Sequence, residues 1–328
     1  MTWSIGPGVR SLARAGVVAA ALAVATGTTA AEATTIRVAN FTNASTLPLY
    51  YGMEKGYFKD AGINVEIVKV ATGAASVAAV ASGAADIGWA ASAVPIFARG
   101  KGVKVKMFMT ASDDGPPDHY GLSIDATKRS GVTSFAQMKG KTVMINAFGT
   151  ATELSVRIRI QRAGVNWDDV KKVVVPFPQM PAALELGNAD VGAMIQPMQS
   201  QVVANKAIGA IILGRGVLPE SKHRPITVSS FFATDAWLAK SEKAALAFGR
   251  AYLKAAKELR ANDKLRVAQL VKVTGMKPAM AAIIPDPTWF HDLAITKPAV
   301  EPNYADLVES GMLKTKFNVD DVIATLPF

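Results

Sequence analysis

Few residues in this chain have types and spacings suited to chemistry. Thr150-Ala-Thr-Glu153 has the pattern of a helix capping box, in which a hydroxyl and a carboxylate three positions on satisfy free backbone N–H groups. His119, Asp118 or Glu153 would serve as a general base only with a second group hydrogen-bonded to it, and no His–acid pair stands at a useful spacing. Asp113, Asp114, Asp118 and His119 make a loose donor cluster, but the three histidines of the chain are far apart, so no metal site is expected. The chain has no cysteine, which removes thiolate ligands, cysteine nucleophiles and disulfides. Gly140-Lys141-Thr142 matches the end of a phosphate-binding loop. Position 135, where that motif needs glycine, is Phe135, and the segment precedes a strand instead of opening a helix. What remains is the chemistry of holding a ligand, with no cofactor and no metal. Helix starts offer free N–H groups, and Phe41, Trp89, Phe148 and Phe177 sit at the ends of expected strands.

The elements that must position these residues contain one unit used twice. Residues 71–92 and 175–196 align at a constant offset, matching Ala78, Ala79, Gly83, Ala85, Asp86 and Gly88 with Ala182, Ala183, Gly187, Ala189, Asp190 and Gly192. Each copy is a short helix of small residues ended by a glycine, then a turn through Asp into a short apolar strand, Ile87–Ala90 or Val191–Ile195. The match favours two related lobes. Around the copies, strands are expected at Thr35–Phe41, Asn64–Val70, Val103–Met109, Gly121–Ile124, Thr142–Asn146, Val170–Val175 and Ala207–Leu213. Helices alternate with them at Leu47–Lys59, from Ser92 to Gly100, Ser134–Lys139, Thr152–Arg162 and Gln199–Asn205. Such alternation implies mostly parallel sheets with helices on both faces. Ser112–His119, rich in Asp and Pro, reads as a crossover, and Pro225–Phe232 as an extended return. Beyond it the pattern turns helical: Ser241–Arg260, Lys264–Val273, Pro278–Ile283 and Tyr304–Ser310.

Length and composition set outer bounds. The 328 residues suit two domains or one large one, and with half of them apolar a filled core is easily supplied. The first 33 residues read as a signal peptide: Arg10 and Arg14, an apolar run Ala15–Ala25, then Ala-x-Ala-like sites ending at Ala31 or Ala33. That run is too short to span a bilayer, which needs about 20 residues. The expectation is an exported, periplasmic, soluble monomer. A net charge of +10 raises the question of nucleic acid, but the basic residues are dispersed. Lys101, Lys104 and Lys106 alternate with Val103, Val105 and Met107, which places the lysines on the wet face of a strand. No nucleic-acid partner is expected, and export excludes a DNA-binding regulator.

Several stretches carry a family resemblance. Gly52-Met-Glu-Lys-Gly-Tyr-Phe-Lys-Asp-Ala-Gly62 resembles the E-K-G-Y-F-x-x-x-G opening of periplasmic solute-binding proteins of the sulfonate/nitrate/taurine and thiamine-precursor type, which serve ABC importers. The two G-x-A-D-[IV]-G turns, Met138–Val143, Phe232–Leu238, Leu307–Leu313 and Val319–Val322 also fit, so the resemblance covers about residues 35–325. It implies a small-molecule ligand, a membrane permease partner of the ABC importer, and two lobes on a two-strand hinge that close like a Venus flytrap. Lobe I would comprise 34–112 and 229–328 and lobe II 113–228. Members that bind pyrimidine precursors tend to carry an acid before the proline after the second turn. Here Gln196-Pro197 stands there, which disfavours a cationic ligand.

Ligands of doubly wound sheets bind at strand carboxyl ends beside helix N-termini. The candidate site is therefore Asn40, Phe41, Thr42, Asn43, Thr72, Gly73, Trp89, Ala90, Ser92, Phe148, Gly149, Thr150, Thr152, Phe177, Gln179 and Gln196. Helix ends favour carboxylate, sulfonate or phosphate, and the aromatics favour a bulky organic acid over nitrate. Glu153 counts against this at one junction, because it takes a donor and brings its own negative charge. A neutral pyrimidine- or urea-type ligand, or an enzyme on the same scaffold, are the alternatives.

Overall fold

The computed structural model describes residues 33–114, 122–216, 226–284 and 293–328. In chain order the first run is β1 (Thr34–Asn40), α1 (Leu47–Glu54), α2 (Tyr57–Asp60), β2 (Ile63–Lys69), α3 (Gly73–Ala81), β3 (Ile87–Ala91), α4 (Ala93–Gly100) and β4 (Val105–Asp114). The second is β5 (Leu122–Ala126), β6 (Thr142–Ile145), α5 (Ala151–Arg162), β7 (Lys171–Val174), α6 (Met180–Leu186), β8 (Val191–Ile195), α7 (Met198–Ala204) and β9 (Ile211–Arg215). The chain returns through β10 (Ile226–Thr234) and ends in α8 (Asp235–Ala261), α9 (Asp263–Thr274), α10 (Pro278–Ala282) and α11 (Lys297–Glu309).

These strands build two five-stranded sheets, β2-β1-β3-β10-β4 and β7-β6-β8-β5-β9. The two orders are the same when β1–β4 are matched with β6–β9 and β10 with β5. In each sheet four strands run parallel and the inserted strand, β10 or β5, is antiparallel to both neighbours. The expected mostly parallel architecture is therefore present, with one reversed strand per lobe that local alternation did not announce. β4 and β10 pair out to Asp114 and Ile226. The segments 115–121 and 217–225, which follow β4 and β9 in the chain, lie outside the described residues, as do the leader and the side chains of Asp114, Asp118 and His119.

The repeated unit has a physical explanation. Asp86 Oδ2 accepts the backbone N–H of Arg37 in β1 at 2.8 Å, and Asp190 Oδ2 accepts that of Thr142 at the start of β6, also at 2.8 Å. Each aspartate thus pins its turn to the parallel strand beside the one it leads into, β1 beside β3 and β6 beside β8. Gly83 and Gly187 take left-handed backbone with φ of 76° and 86°, which ends the preceding helix without Cβ strain. Gly88 and Gly192 serve a different need, close packing. A Cβ on Gly88 would strike the Phe232 ring and stand 2.7 Å from Ser76 Oγ, while one on Gly192 would meet Met194 Cε at 2.6 Å.

Several boundaries differ from the sequence expectation. The helix expected over Leu47–Lys59 is two pieces, because Gly56 takes φ 76° between α1 and α2. Ser134–Lys139 makes only a 3-10 turn, Phe135–Gln137, held by Gln137 Oε1 accepting the Ser134 N–H. The last strand of the second lobe starts at Ile211, because Asn205–Ile208 closes a turn first. α8 begins at Asp235, capped by Thr234, and breaks at Ser241, the residue where a helix start was expected. α11 begins seven residues before Tyr304 and accommodates Pro302 within it. Among the described residues no helix is long and apolar enough to cross a membrane.

The core lies on both faces of each sheet. Phe58, Phe231, Phe248 and Tyr252 pack α2 and α8 against one face of the first sheet, with ring centroids 5.1–5.2 Å apart between neighbours. Met180, Leu184, Met198 and Val202 of α6 and α7 cover one face of the second. α5 of the second lobe packs against α4 and α11 of the first. At the end of that contact Arg162 bonds Glu309 through both carboxylate oxygens, at 2.9 and 2.7 Å, and Asp306 at 2.7 Å.

Candidate functional site

The strand ends of both lobes open on one cavity with about 540 Å³ of free space, part of it open to solvent. Phe41, Trp89 and Phe177 form its aromatic wall. The Phe41 ring meets Trp89 edge-on at 5.0 Å, and Phe177, from the other lobe, at 6.2 Å. Ser112 of β4 and Ser229 of β10 contribute hydroxyls joined at 2.5 Å, and Asn146, Thr150, Ala151 and Thr152 line the side next to α5. No charged side chain stands among the described lining residues.

The helix starts around this cavity are not equivalent. Asn43 Oδ1 accepts the Ser45 N–H at 2.9 Å, and Thr72 Oγ1 accepts the Ala75 N–H at 3.1 Å, so both give their side chains to caps. The turn at Phe177 is a three-residue 3-10 segment that includes Pro178, which has no N–H. At α5, as at α4, no side chain caps the first turn. The Thr150 hydroxyl, expected as that cap, bonds Ala147 O at 2.7 Å and Asn146 Oδ1 at 3.1 Å instead. Glu153 reaches back past the cap to the Gly149 N–H, at 2.6 Å. The capping box therefore does not form. The first N–H groups of α5, which have no intrahelical partner, open beside the cavity wall. Burial pushes the Glu153 carboxyl above the usual carboxylate range, opposed by the Gly149 N–H and by Arg157 and Lys172.

The cavity brings together six of the residues singled out from sequence: Phe41, Gly73, Trp89, Thr150, Thr152 and Phe177. A Cβ on Gly73 would come within 3.0 Å of Ala90 Cβ, so glycine there lets α3 sit close on β3. The others lie around or behind the wall. Asn40 is buried and donates to Tyr50 Oη, Thr42 is exposed beside the same hydroxyl, and Ala90 packs in the core. Ser92 is buried, with its backbone N–H on Val228 O. Gln196 is turned toward α7, donating to Gln199 Oε1 at 2.6 Å and accepting from Ser200 Oγ at 2.9 Å. Gln179 is exposed, and Phe148 is 57% exposed. Gly149 has φ 71°, and a Cβ there would press on Phe97 of the other lobe at 3.0 Å, which makes it a contact between lobes.

Ser45, Ala91 and Ala151 line the cavity from within the expected junctions Asn40–Leu47, Trp89–Ser92 and Phe148–Thr152, whereas Val94, Ser112, Leu122, Asn146, Ile195, Val228 and Ser229 line it and were missed. Asn146 follows β6 directly and was placed at its end, so its position was legible and its role was not. Ser112 and Ser229 had no signal, because they meet only when β4 pairs with β10.

Two sheets of one strand order, facing each other across a cavity at their strand ends, define the two-lobed periplasmic-binding-protein fold. The chain belongs to the NMT1/THI5-like family, whose model matches residues 43–264. A curated relative, “Putative binding protein YtlA” of Bacillus subtilis (strain 168), is 24% identical over 229 residues, which span 68% of this chain and 65% of that protein's length. The alkanesulfonate-binding protein SsuA from Xanthomonas axonopodis pv. citri, bound to MOPS, has a TM-score of 0.76 at 16% identity, covering 90% of this chain and 99% of its own. The periplasmic nitrate-binding protein NrtA from Synechocystis PCC 6803 has a TM-score of 0.70 at 16% identity, covering 89% and 86%. At these identities the likeness is one of fold.

Proposed function

We propose that this protein is an exported substrate-binding protein that captures a small organic anion between its lobes and delivers it to the permease of an ABC importer. The observation that carries this reading is the uncapped first turn of α5, opening on an aromatic-walled cavity. Free N–H groups and the positive end of a helix attract an acid headgroup, while Phe41, Trp89 and Phe177 suit an aromatic or otherwise apolar body. The described wall holds hydroxyls but no imidazole or carboxylate to activate them, which supports capture over turnover.

Two observations favour a second reading, a neutral pyrimidine- or urea-type ligand. The described wall offers no cation, and Glu153 stands within the first turn of α5. A thermal-shift panel separates the two. At ligand concentrations about 100 times Kd, linkage adds roughly 2.7 kcal/mol, or about 5–10 °C for lobes of this size. Aromatic carboxylates and sulfonates should give the largest shifts, with amino-pyrimidines, ureas and cations giving small ones. A larger shift from the neutral heterocycles would replace the anion reading with the second.

A further inference from the structure

Asn146 is 6% exposed, follows β6, and lines the cavity beside the start of α5. Its Oδ1 accepts from Thr152 Oγ1 at 2.6 Å and from Thr150 Oγ1 at 3.1 Å. A primary amide has one acceptor oxygen and one nitrogen with two protons, on opposite edges of a plane. With the oxygen edge turned to the two threonines, the nitrogen edge is left for the cavity, and Nδ2 donates to no group among the described residues.

The threonines cannot substitute for it. Each hydroxyl has a single proton. That of Thr152 is directed to Asn146, and that of Thr150 is divided between Asn146 Oδ1 and Ala147 O, with the two hydroxyls 3.0 Å apart. Both protons are spent inside the cluster, which fixes the amide and takes the hydroxyls out of competition as donors.

We propose that Asn146 is the specificity-determining residue of the cavity: its amide nitrogen and the free N–H groups of the first turn of α5 together bind one oxyanion headgroup, carboxylate or sulfonate, without a cation. This rests on the ligand being held in this cavity. It goes beyond that reading by naming the side chain that distinguishes an acid from its amide. The hydroxyl pair Ser112–Ser229 spends one of its two protons internally, so the opposite wall adds one further donor. Every side-chain group so counted donates, and a buried donor left unpaired is costly, so ligands that present only acceptors are favoured.

The test is Asn146→Asp, which keeps an acceptor for both threonines and replaces only the donor with a second oxygen. Binding of benzoate, benzenesulfonate, benzamide and benzenesulfonamide is measured by titration calorimetry on both proteins, with the unfolding midpoint of each unliganded protein as the control for folding. Wild-type protein should bind each acid more tightly than its amide. The variant should lose about 100-fold or more in affinity for the acids, through a lost charge-assisted donor and an added like charge. Its affinity for the amides should hold or rise, so that the acid-to-amide preference inverts. Asn146→Leu, which removes donor and acceptor alike, should weaken the acids without improving the amides. If wild type and Asn146→Asp bind the acids equally, the assignment of Asn146 is wrong while the anion reading stands. If wild type prefers the amides, the amide of Asn146 presents its oxygen to the cavity, and both ideas fall. Binding of no member of the set by wild type would also overturn both.

Discussion

Replacing Asp125 by Asn should raise the unfolding midpoint at pH 8 and give no gain, or a modest loss, at pH 4. Asp125 lies in β5, the reversed strand inside the second sheet, fully buried. Oδ1 accepts from Ser123 Oγ at 3.0 Å, and Oδ2 has no partner among the described residues. Burial pushes the carboxyl up from the usual 3.8 to about 7, opposed in part by the Ser123 hydroxyl and the charge of Arg215. The folded protein therefore holds a proton that the unfolded chain releases above its own lower pKa. Between about pH 4 and pH 7 the folded state binds more protons than the unfolded one, so stability is lost as pH rises through that window and levels off above it. The full shift corresponds to at most about 4 kcal/mol, and Asn would recover only part, because its buried amide nitrogen also needs a partner. A net gain of about 1–3 kcal/mol at pH 8 follows. Glu153, also pushed up by burial, contributes in the same direction. Melting curves of both proteins from pH 4 to pH 9 test this. Parallel curves would show that Asp125 does not titrate in this range.

Gly88→Ala should destabilise the protein markedly more than Gly192→Ala, although the two glycines are matched in the repeat. At Gly88 the new methyl meets the Phe232 ring on one side and Ser76 Oγ on the other, and neither can yield cheaply. Phe232 is fully buried, and Ser76 Oγ is held by its bond to Ala39 O at 3.0 Å. Overpacking of a fixed site costs typically about 1–3 kcal/mol, and the upper half of that range is expected here. At Gly192 the nearest atom is Cε of Met194, the far end of a flexible side chain, with Leu184 Cδ1 at 3.0 Å. A loss of about 1 kcal/mol or less is expected there. Urea midpoints of the two variants decide it, and equal losses would mean that the first sheet relaxes around its new methyl.

How much of this was legible depended on whether the determining contact was local. The helix–strand repeat, its glycine stops and the alternation of strand and helix are written within a few residues, and the structure contains them. What the repeated aspartates do was not legible, because their partners, Arg37 and Thr142, stand 49 and 48 positions away. The reversed strands were hidden for the same reason: nothing in Pro225–Phe232 states that β10 enters between β3 and β4. Thr150 shows a subtler limit. The capping-box spacing is correct, but the hydroxyl is claimed by Asn146 and Ala147, a competition that a four-residue pattern cannot display. Asn43 and Thr72 make the converse point, since both look like cleft residues and both also satisfy helix starts of their own.

The reversed strand of the first sheet has a kinetic consequence. Every strand of the second sheet comes from one unbroken stretch of chain, whereas β10 must arrive between β3 and β4 after that whole stretch has passed. Ser112 and Ser229, bonded side by side, are 117 positions apart. Closing so long a loop carries a larger entropy penalty and slows assembly. The lobe encoded in the middle of the chain should therefore acquire protection first, with the lobe made of both ends waiting on its central strand. In pulse-labelled hydrogen exchange during refolding, amides of β6 and β8 should be protected before those of β3 and β10. Simultaneous protection, or the reverse order, would show that the two lobes assemble as one unit despite their connectivity.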